Sequence, residues 1–261
     1  RGVRIFEGVA ATGVLQKNGR VRGVCTPYGD IQTDYVVNCA GLWARELGAL
    51  SGVAISNQAA EHYYLITEAI KDLPPNMPVL EDPSAYGYYR QEGGGLMVGL
   101  FEPVCAPWKI DGAPTDTPYL DLEPDWERMG PYLETAMSRV PVTSQVGMKK
   151  FFCGPESFTP DLKPIVGEAP ELRGYFVAAG LNSIGILTGG GLGREDAGGV
   201  GRRLGTGRRP ARLDRADVVN GHPRFIALVS RDLSDLADLD HVCADDGGHL
   251  IEIDVGLVVA P

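Results

Sequence analysis

Cysteine pairs with the spacing of metal sites or disulfide frameworks are missing from this chain of 261 residues. Its five cysteines are scattered, with an odd total and no Cys-x-x-Cys pair. This pattern favours neither a zinc site nor a set of disulfides. We therefore expect a protein of a reducing compartment that holds no metal.

Long apolar runs and an excess of positive charge are also absent. No run of about 18 apolar residues exists, which argues against a transmembrane helix. The formal net charge is −10, which is unfavourable for binding a phosphate backbone. We expect no nucleic-acid partner and no membrane partner. Because no targeting segment is visible, we predict a cytoplasmic location, with the mitochondrial matrix as the alternative.

Residues 195–261 lack Lys, Tyr, Trp, Met and Gln, although they contain ten Asp and eight Arg. Several glycines at the start of this tail make it poor helix material. We interpret the tail as foreign to the fold, through a shifted reading frame or a faulty gene model, with a genuine appended segment as the alternative. Residues 255–259 are apolar enough to add a strand.

Glycine is abundant after a short apolar run near the middle of the chain. Residues 175–179, between Gly174 and Gly180, have the pattern of a buried strand. Residues 184–194 then contain five glycines, which let backbone approach a planar ligand closely. A helix starting there would present free amides to an electron-rich group. A flavin-sized ligand explains this pattern, and a tight strand-helix connection with no ligand is the alternative.

The remaining pattern predicts alternating strands and two helices. A turn at residues 17–20 predicts a hairpin, and residues 35–39 an apolar strand. Aromatic and β-branched residues predict strands over residues 53–70 and 86–101. Apolar spacing predicts helices over the following ranges: 42–51 and 121–140.

Three segments of the chain together resemble the D-amino-acid oxidase superfamily of flavoproteins. They are residues 36–44, 157–167 and 174–193. The most similar branch contains dimethylglycine and sarcosine dehydrogenases, and the resemblance covers roughly residues 1–194. It implies an α+β or α/β fold, with a partial FAD-binding domain of the D-amino-acid oxidase type and a substrate domain built on an antiparallel sheet. The implied division is as follows: residues 1–50 and 151–194 bind FAD, 51–150 form the substrate domain, and 195–261 are an atypical tail of uncertain structure.

The resemblance implies that His62 faces the flavin ring, where it positions the amine or accepts its proton. Without the resemblance, a single histidine here would more often be structural. Tyr88 is implied to line the same pocket and touch the flavin, with an aromatic cross-strand pair as the alternative. Tyr88 and Tyr89 face opposite sides of a strand. Arg90 shares the face of Tyr88 and would bind a substrate carboxylate, unless it pairs with a local acid.

FAD is the cofactor that the resemblance implies. Its contacts are expected near the adenosine side and at two turns that follow strands. The residues expected to bind it are Ala11, Asn38, Cys39, Ala40, Gly41, Tyr88, Gly180, Leu181, Asn182, Ser183, Ile184 and Gly185.

The chain departs from the family pattern in two respects. There is no Gly-x-Gly-x-x-Gly after an initial strand and no acidic residue about 20 positions later. Since the chain also begins at Arg1 inside a strand-like segment, we expect a fragment that lacks the dinucleotide-binding motif and the folate-binding region. Tetrahydrofolate would then be a partner only of a longer parent protein.

The resemblance implies oxidation of the C–N bond of an N-methylated amino acid, such as dimethylglycine or sarcosine, by hydride transfer to the flavin. The small-molecule partner would be that amine. One alternative is a non-catalytic regulatory paralogue, similar to the regulatory subunit of pyruvate dehydrogenase phosphatase. A truncated fragment without function is another.

Overall fold

The computed structural model describes residues 4–114, 121–192, 225–230 and 256–260, with the backbone only for residues 4, 225–230 and 256–260. The strands are β1 Arg4–Phe6, β2 Gly13–Lys17, β3 Arg20–Thr26, β4 Gly29–Gln32, β5 Tyr35–Cys39, β6 Gln58–Thr67, β7 Leu80–Asp82, β8 Gly87–Glu92, β9 Gly95–Leu100, β10 Met148–Phe158, β11 Ile165–Glu168, β12 Tyr175–Ala179, β13 Phe225–Ser230 and β14 Gly256–Ala260. The α-helices are α1 Ala44–Leu50, α2 Trp126–Arg139 and α3 at residues 185–192. Short 3₁₀ helices span Gly41–Trp43, Pro83–Ala85 and Pro141–Gln145.

The chain divides into two compact units. The first contains residues 1–59, 109–118 and 157–261, and the second contains residues 60–108 and 119–156. The first combines a mostly parallel sheet with an antiparallel one, and the second has an antiparallel sheet with a helix. This mixture confirms the α+β class predicted from the sequence. The assignment of roles to the predicted domains stays a prediction.

The larger sheet of the first unit has the strand order β1-β14-β13-β5-β12-β11. β12 pairs with β5 in parallel, whereas β11 pairs with β12 antiparallel. Both central strands are apolar, with Val36 and Tyr175 fully buried, as expected for strands covered on two faces. The carboxyl ends of β5 and β12 therefore lie side by side.

A three-stranded antiparallel sheet, β2-β3-β4, also belongs to the first unit. Its first hairpin turns at Asn18 and Gly19, both with positive φ, of 53° and 67°. Two such residues in a two-residue turn match the twist of the flanking strands. The predicted hairpin is thus confirmed, and Val21 and Val24 of β3 are fully buried in the core of the unit.

Two segments of the compositionally distinct tail are strands of the larger sheet. β13 pairs in parallel with β5, and β14 pairs in parallel with both β13 and β1. The strand predicted at residues 255–259 corresponds to β14 within one residue. The interpretation of the other tail residues falls outside the described ranges.

The second unit contains a five-stranded sheet of order β10-β6-β9-β8-β7. Helix α2 covers one face, where Tyr63, Tyr89 and Met129 are fully buried in one cluster. The helix begins at Trp126, later than the predicted residue 121. Asp125 caps it by accepting a hydrogen bond from the Arg128 amide at 2.9 Å, which explains the start.

Arg128 also connects α2 to two carboxylates, one within β6 and one shortly after β9. Its guanidinium donates to Glu61 at 2.6 Å and to Glu102 at 2.8 Å. The Glu102 side chain is 2% exposed, so its charge depends on this arginine for compensation. The ion pair therefore holds the helix against the sheet in a buried setting.

Candidate functional site

The carboxyl end of β5 turns directly into a 3₁₀ helix. The buried Asn38 side chain fixes this turn, since its Nδ2 donates to the Ala44 carbonyl and to the Tyr175 hydroxyl, both at 2.9 Å. Its Oδ1 accepts from the Ala40 amide at 3.1 Å. Gly41 has φ of +58°, and a side chain there would meet open space within 4 Å. A ligand can therefore approach the backbone of Gly41 closely.

The carboxyl end of β12 forms a second unusual turn. Gly180, Asn182 and Ser183 all have positive φ, of 64°, 50° and 67°. A Cβ on Gly180 would lie 2.4 Å from Cγ2 of Thr159, so glycine is required there. Asn182 stabilises the turn by accepting from the Thr159 amide at 2.9 Å and donating to the Gly180 carbonyl at 2.7 Å. Strained residues held in this way often mark ligand sites.

Asn57 links these two turns. Its Nδ2 donates to the Gly41 carbonyl at 3.2 Å and to the Ser157 hydroxyl at 3.0 Å. The carbonyl of Ser157 in turn accepts from the Asn182 amide at 3.2 Å. Residues 38–41 and 180–185, which are far apart in the sequence, are thus brought together.

Two buried polar atoms in this cluster have no hydrogen-bond partner within the described ranges. They are Asn57 Oδ1 and Ser183 Oγ. Buried polar atoms of a folded protein are normally paired, so two unpaired atoms in one cluster indicate a place where a ligand can bind. They stand where parallel strands end, the usual place for nucleotide ligands. The acceptor, the hydroxyl and the open Gly41 backbone fit a flavin, whose ring carries both N–H and carbonyl groups.

The second unit holds the two residues predicted to be catalytic. His62, 7% exposed, lies on β6, and its Nε2 is 3.3 Å from the Tyr88 hydroxyl on β8. The two rings are nearly parallel, at 7°. Tyr89 lies on the opposite face and donates to the Ala136 carbonyl of α2 at 2.8 Å. The structure therefore brings His62 and Tyr88 together and places Tyr89 in the core.

The position of Tyr88 depends on a glycine of the neighbouring strand. Tyr88 on β8 is paired with Gly99 on β9. A Cβ on Gly99 would lie only 1.8 Å from Cζ of the Tyr88 ring. The ring thus occupies the space above the glycine, a close approach that any other residue would prevent.

Burial sets the protonation of this pair. It lowers the pKa of His62 to about 4, so the imidazole is neutral at pH 7. It also raises the pKa of Tyr88 to about 12, which keeps the phenol protonated. A neutral imidazole and a neutral phenol can orient a substrate by hydrogen bonds, but neither supplies a charge.

Two other predicted residues lie in different surroundings. Arg90 is half exposed and donates to Glu92 at 2.8 Å, which is the local ion pair that the sequence left as the alternative. Ala11 packs against the core of the first unit. Their predicted roles, in substrate and cofactor binding, stay predictions.

Sequence reasoning missed Asn57 and Ser157 as site residues. Ser157 lies in a segment that carried the family resemblance, so its position in the sequence gave a signal. Asn57 had none, because its role depends on contacts with residues 16 and 100 positions away.

A family model described as FAD dependent oxidoreductase, DAO, matches residues 1–197. The chain belongs to this DAO family. The match confirms the resemblance predicted from the sequence and FAD as the cofactor of the family.

Relatives of this DAO-family chain include mitochondrial sarcosine dehydrogenase of Mus musculus, which is 42% identical over 200 residues, 75% of this chain and 21% of that protein. Mitochondrial dimethylglycine dehydrogenase of Mus musculus is 34% identical over 177 residues, 65% and 20% of the two chains. The mitochondrial regulatory subunit of pyruvate dehydrogenase phosphatase from Mus musculus is 39% identical over 196 residues, 74% and 22%. The chain thus spans about a fifth of the length of these relatives.

Among solved structures, L-proline dehydrogenase from P. horikoshii superposes with a TM-score of 0.62 at 25% sequence identity. The superposition covers 78% of this chain and 52% of that one. It confirms the predicted fold.

None of the helices in the described part of the chain is long and apolar enough to cross a membrane. No group of three or more His, Cys, Asp or Glu residues there has the arrangement of a metal site.

Proposed function

We propose that this chain forms part of an FAD-dependent enzyme that oxidises the C–N bond of an N-methylated amino acid, such as sarcosine or dimethylglycine. The observation that carries the proposal is the contact between buried His62 and partly buried Tyr88 in a DAO-family chain. The similarity to sarcosine and dimethylglycine dehydrogenases supports the substrate class. The small amine would be the substrate partner, and tetrahydrofolate stays an expectation for a longer protein.

In this proposal the two units have separate tasks. Asn57, Gly41 and Ser183 of the first unit would hold FAD, the group that supplies the acceptor for a hydride. His62 and Tyr88 of the second unit would orient the amine so that its N-methyl carbon presents a C–H bond. Because both side chains are neutral and largely withdrawn from water, they would do so by hydrogen bonding.

The domain roles predicted from the sequence belong to the same proposal: residues 1–50 and 151–194 for FAD, and 51–150 for the substrate. The cytoplasmic location stays a prediction. Relatives that are named mitochondrial support the matrix as its alternative.

Rapid mixing of the oxidised, FAD-loaded protein with sarcosine under anaerobic conditions tests the roles of the pair. We expect His62→Ala to slow flavin reduction by roughly 10²-fold or more if the imidazole takes part in proton movement. We expect Tyr88→Phe to slow flavin reduction as well, because it removes the hydroxyl that would orient the amine. The aromatic ring is retained, so the packing should change little. Tyr28→Phe is the matched control, since Tyr28 is 59% exposed. Unchanged rates in both site variants would remove His62 and Tyr88 from the mechanism.

A regulatory paralogue is the second candidate, because the chain is 39% identical to the phosphatase regulatory subunit over 196 residues. Such a protein would retain FAD and show no reduction by any amine. The same mixing experiment therefore separates the two candidates.

A further inference from the structure

The sheet face opposite α2 contains a carboxyl group to which the proposed function gives no role. Phe151 and Cys153 of β10 pack in the core beneath α2. Since side chains alternate along a strand, Phe152 and Glu156 face the other side. The contact of Phe152 with Tyr64, at 4.7 Å between ring centroids, supports this assignment.

Glu156 shares that face with the His62–Tyr88 pair. Tyr88 lies on the side of β8 opposite the core residue Tyr89 and is 3.3 Å from His62. The charge of Glu156 contributes to the raised pKa of Tyr88, after the larger effect of burial. A carboxyl, a phenol and an imidazole from three strands therefore lie on one face of this sheet.

One oxygen of the Glu156 carboxyl has no partner among the described residues. Its Oε2 atom is buried and has no hydrogen-bond partner in the part of the chain that is described. Burial alone raises the pKa of Glu156 to about 7. A buried carboxylate without a partner is unfavourable, and a ligand that brings an N–H donor and a positive charge removes that cost.

We propose that Glu156 recognises the amine: its unpaired carboxyl oxygen accepts a hydrogen bond from the N–H of a protonated secondary or tertiary amine. This inference rests on the proposed function and adds a residue to it. His62 and Tyr88 are neutral, and Arg90 is a cation, so Glu156 is the group of this cluster that can offset the charge of the substrate nitrogen. Methylated amines are thereby selected over neutral molecules of the same shape.

Binding of two probes by calorimetry tests this. Sarcosine carries the ammonium group, and methoxyacetate has the same carboxylate and nearly the same shape without it. The titrations use the anaerobic FAD-loaded protein after chemical reduction of its flavin, so that affinity is measured without turnover. We expect Glu156→Gln to weaken sarcosine binding by about 10- to 100-fold, as for loss of a charge-assisted hydrogen bond, and to leave methoxyacetate binding unchanged.

Glu134→Gln is the matched control, because Glu134 is exposed on α2, and it should change neither affinity. Equal affinity of wild type and Glu156→Gln for sarcosine would overturn the inference. Equal weakening of both probes would also overturn it, since that indicates a purely structural role. If oxidised flavin is not reduced by sarcosine, the proposed reaction fails, whereas the affinity comparison still decides the role of Glu156.

The pH dependence gives a second readout. The other titratable or charged groups on this face are His62, Tyr88 and two residues whose charges, like that of Glu156, act on Tyr88, namely Tyr64 and Arg90. With pKa values of about 4 and about 12 for His62 and Tyr88, neither titrates near neutrality. The preference for sarcosine over methoxyacetate should therefore increase as the pH rises through about 7 and the Glu156 carboxyl ionises. A flat preference in the wild type would contradict the inference, as would a rise that persists in Glu156→Gln.

Discussion

Substituting Gly99 by Ala should displace Tyr88 and destabilise the second unit. The added Cβ would lie 1.8 Å from Cζ of the Tyr88 ring, whereas carbon atoms in good contact are about 3.5–4.0 Å apart. The ring must therefore move by about 2 Å, which would break its contact of 3.3 Å with His62. We expect the free energy of unfolding to fall by about 1–3 kcal/mol, the usual cost of overpacking.

Gly189→Ala provides a matched control with the opposite sign. Gly189 lies inside α3, and a Cβ there would meet nothing within 4 Å. Replacing it should stabilise the protein by about 0.5–1 kcal/mol, because glycine is unfavourable within a helix. Urea unfolding followed by circular dichroism measures both changes.

A double-mutant cycle assigns the cost of Gly99→Ala to the Tyr88 ring. In a Tyr88→Ala background the same substitution should cost much less, because the clashing ring is gone. An equal cost in both backgrounds would refute the reasoning. So would a neutral or stabilising effect of Gly99→Ala alone.

Three further changes test other parts of the account. Because burial lowers the pKa of His62 from 6.5 to about 4, the unfolded state binds more protons between these values. The contribution of His62 to the free energy of unfolding should therefore be fully present above pH 6.5. It should be lost as the pH falls towards 4, by about 3 kcal/mol at most. Urea curves of His62→Gln should lack that loss, and an identical pH dependence would contradict it. Arg128→Met leaves the buried Glu102 carboxylate uncompensated, so it should lower the free energy of unfolding by about 3–5 kcal/mol. Arg22→Met, at an exposed ion pair, is the control and should have a smaller effect. Equal effects of the two substitutions would be evidence against the buried ion pair. Asn182→Ala removes hydrogen bonds at a positive-φ turn and should lower the free energy of unfolding by about 1–3 kcal/mol. It should also weaken FAD binding, which flavin fluorescence measures. Unchanged affinity would exclude a role of this turn in FAD binding.

Local pattern was sufficient to predict several of the strands and turns of this protein. Residues close in sequence were enough to identify the turn at Gly19 and the apolar strand β12. The same holds for the alternation of side chains around Tyr88. The start of α2 was predicted too early, because the helix begins only after Asp125, whose side chain caps its first turn. A cap of this kind changes a boundary without changing the periodicity that identifies the helix.

The arrangement of the site required the fold. The position of Asn57 depends on its hydrogen bonds to Gly41 and Ser157. The position of Glu156 depends on the place of β10 in the sheet. No short sequence motif contains either relationship. The pKa of His62 likewise depends on burial among side chains from other strands. Long-range packing of this kind leaves little trace in a single sequence.

Anaerobic reduction of the FAD-loaded protein tests the central claim most directly. The visible absorbance of oxidised flavin is followed after mixing with sarcosine, with dimethylglycine, or with trimethylglycine, whose quaternary nitrogen has no lone pair to form a C=N bond. The account predicts bleaching by sarcosine or dimethylglycine and none by trimethylglycine. A protein that retains FAD and is bleached by neither substrate would contradict the account and favour a regulatory role.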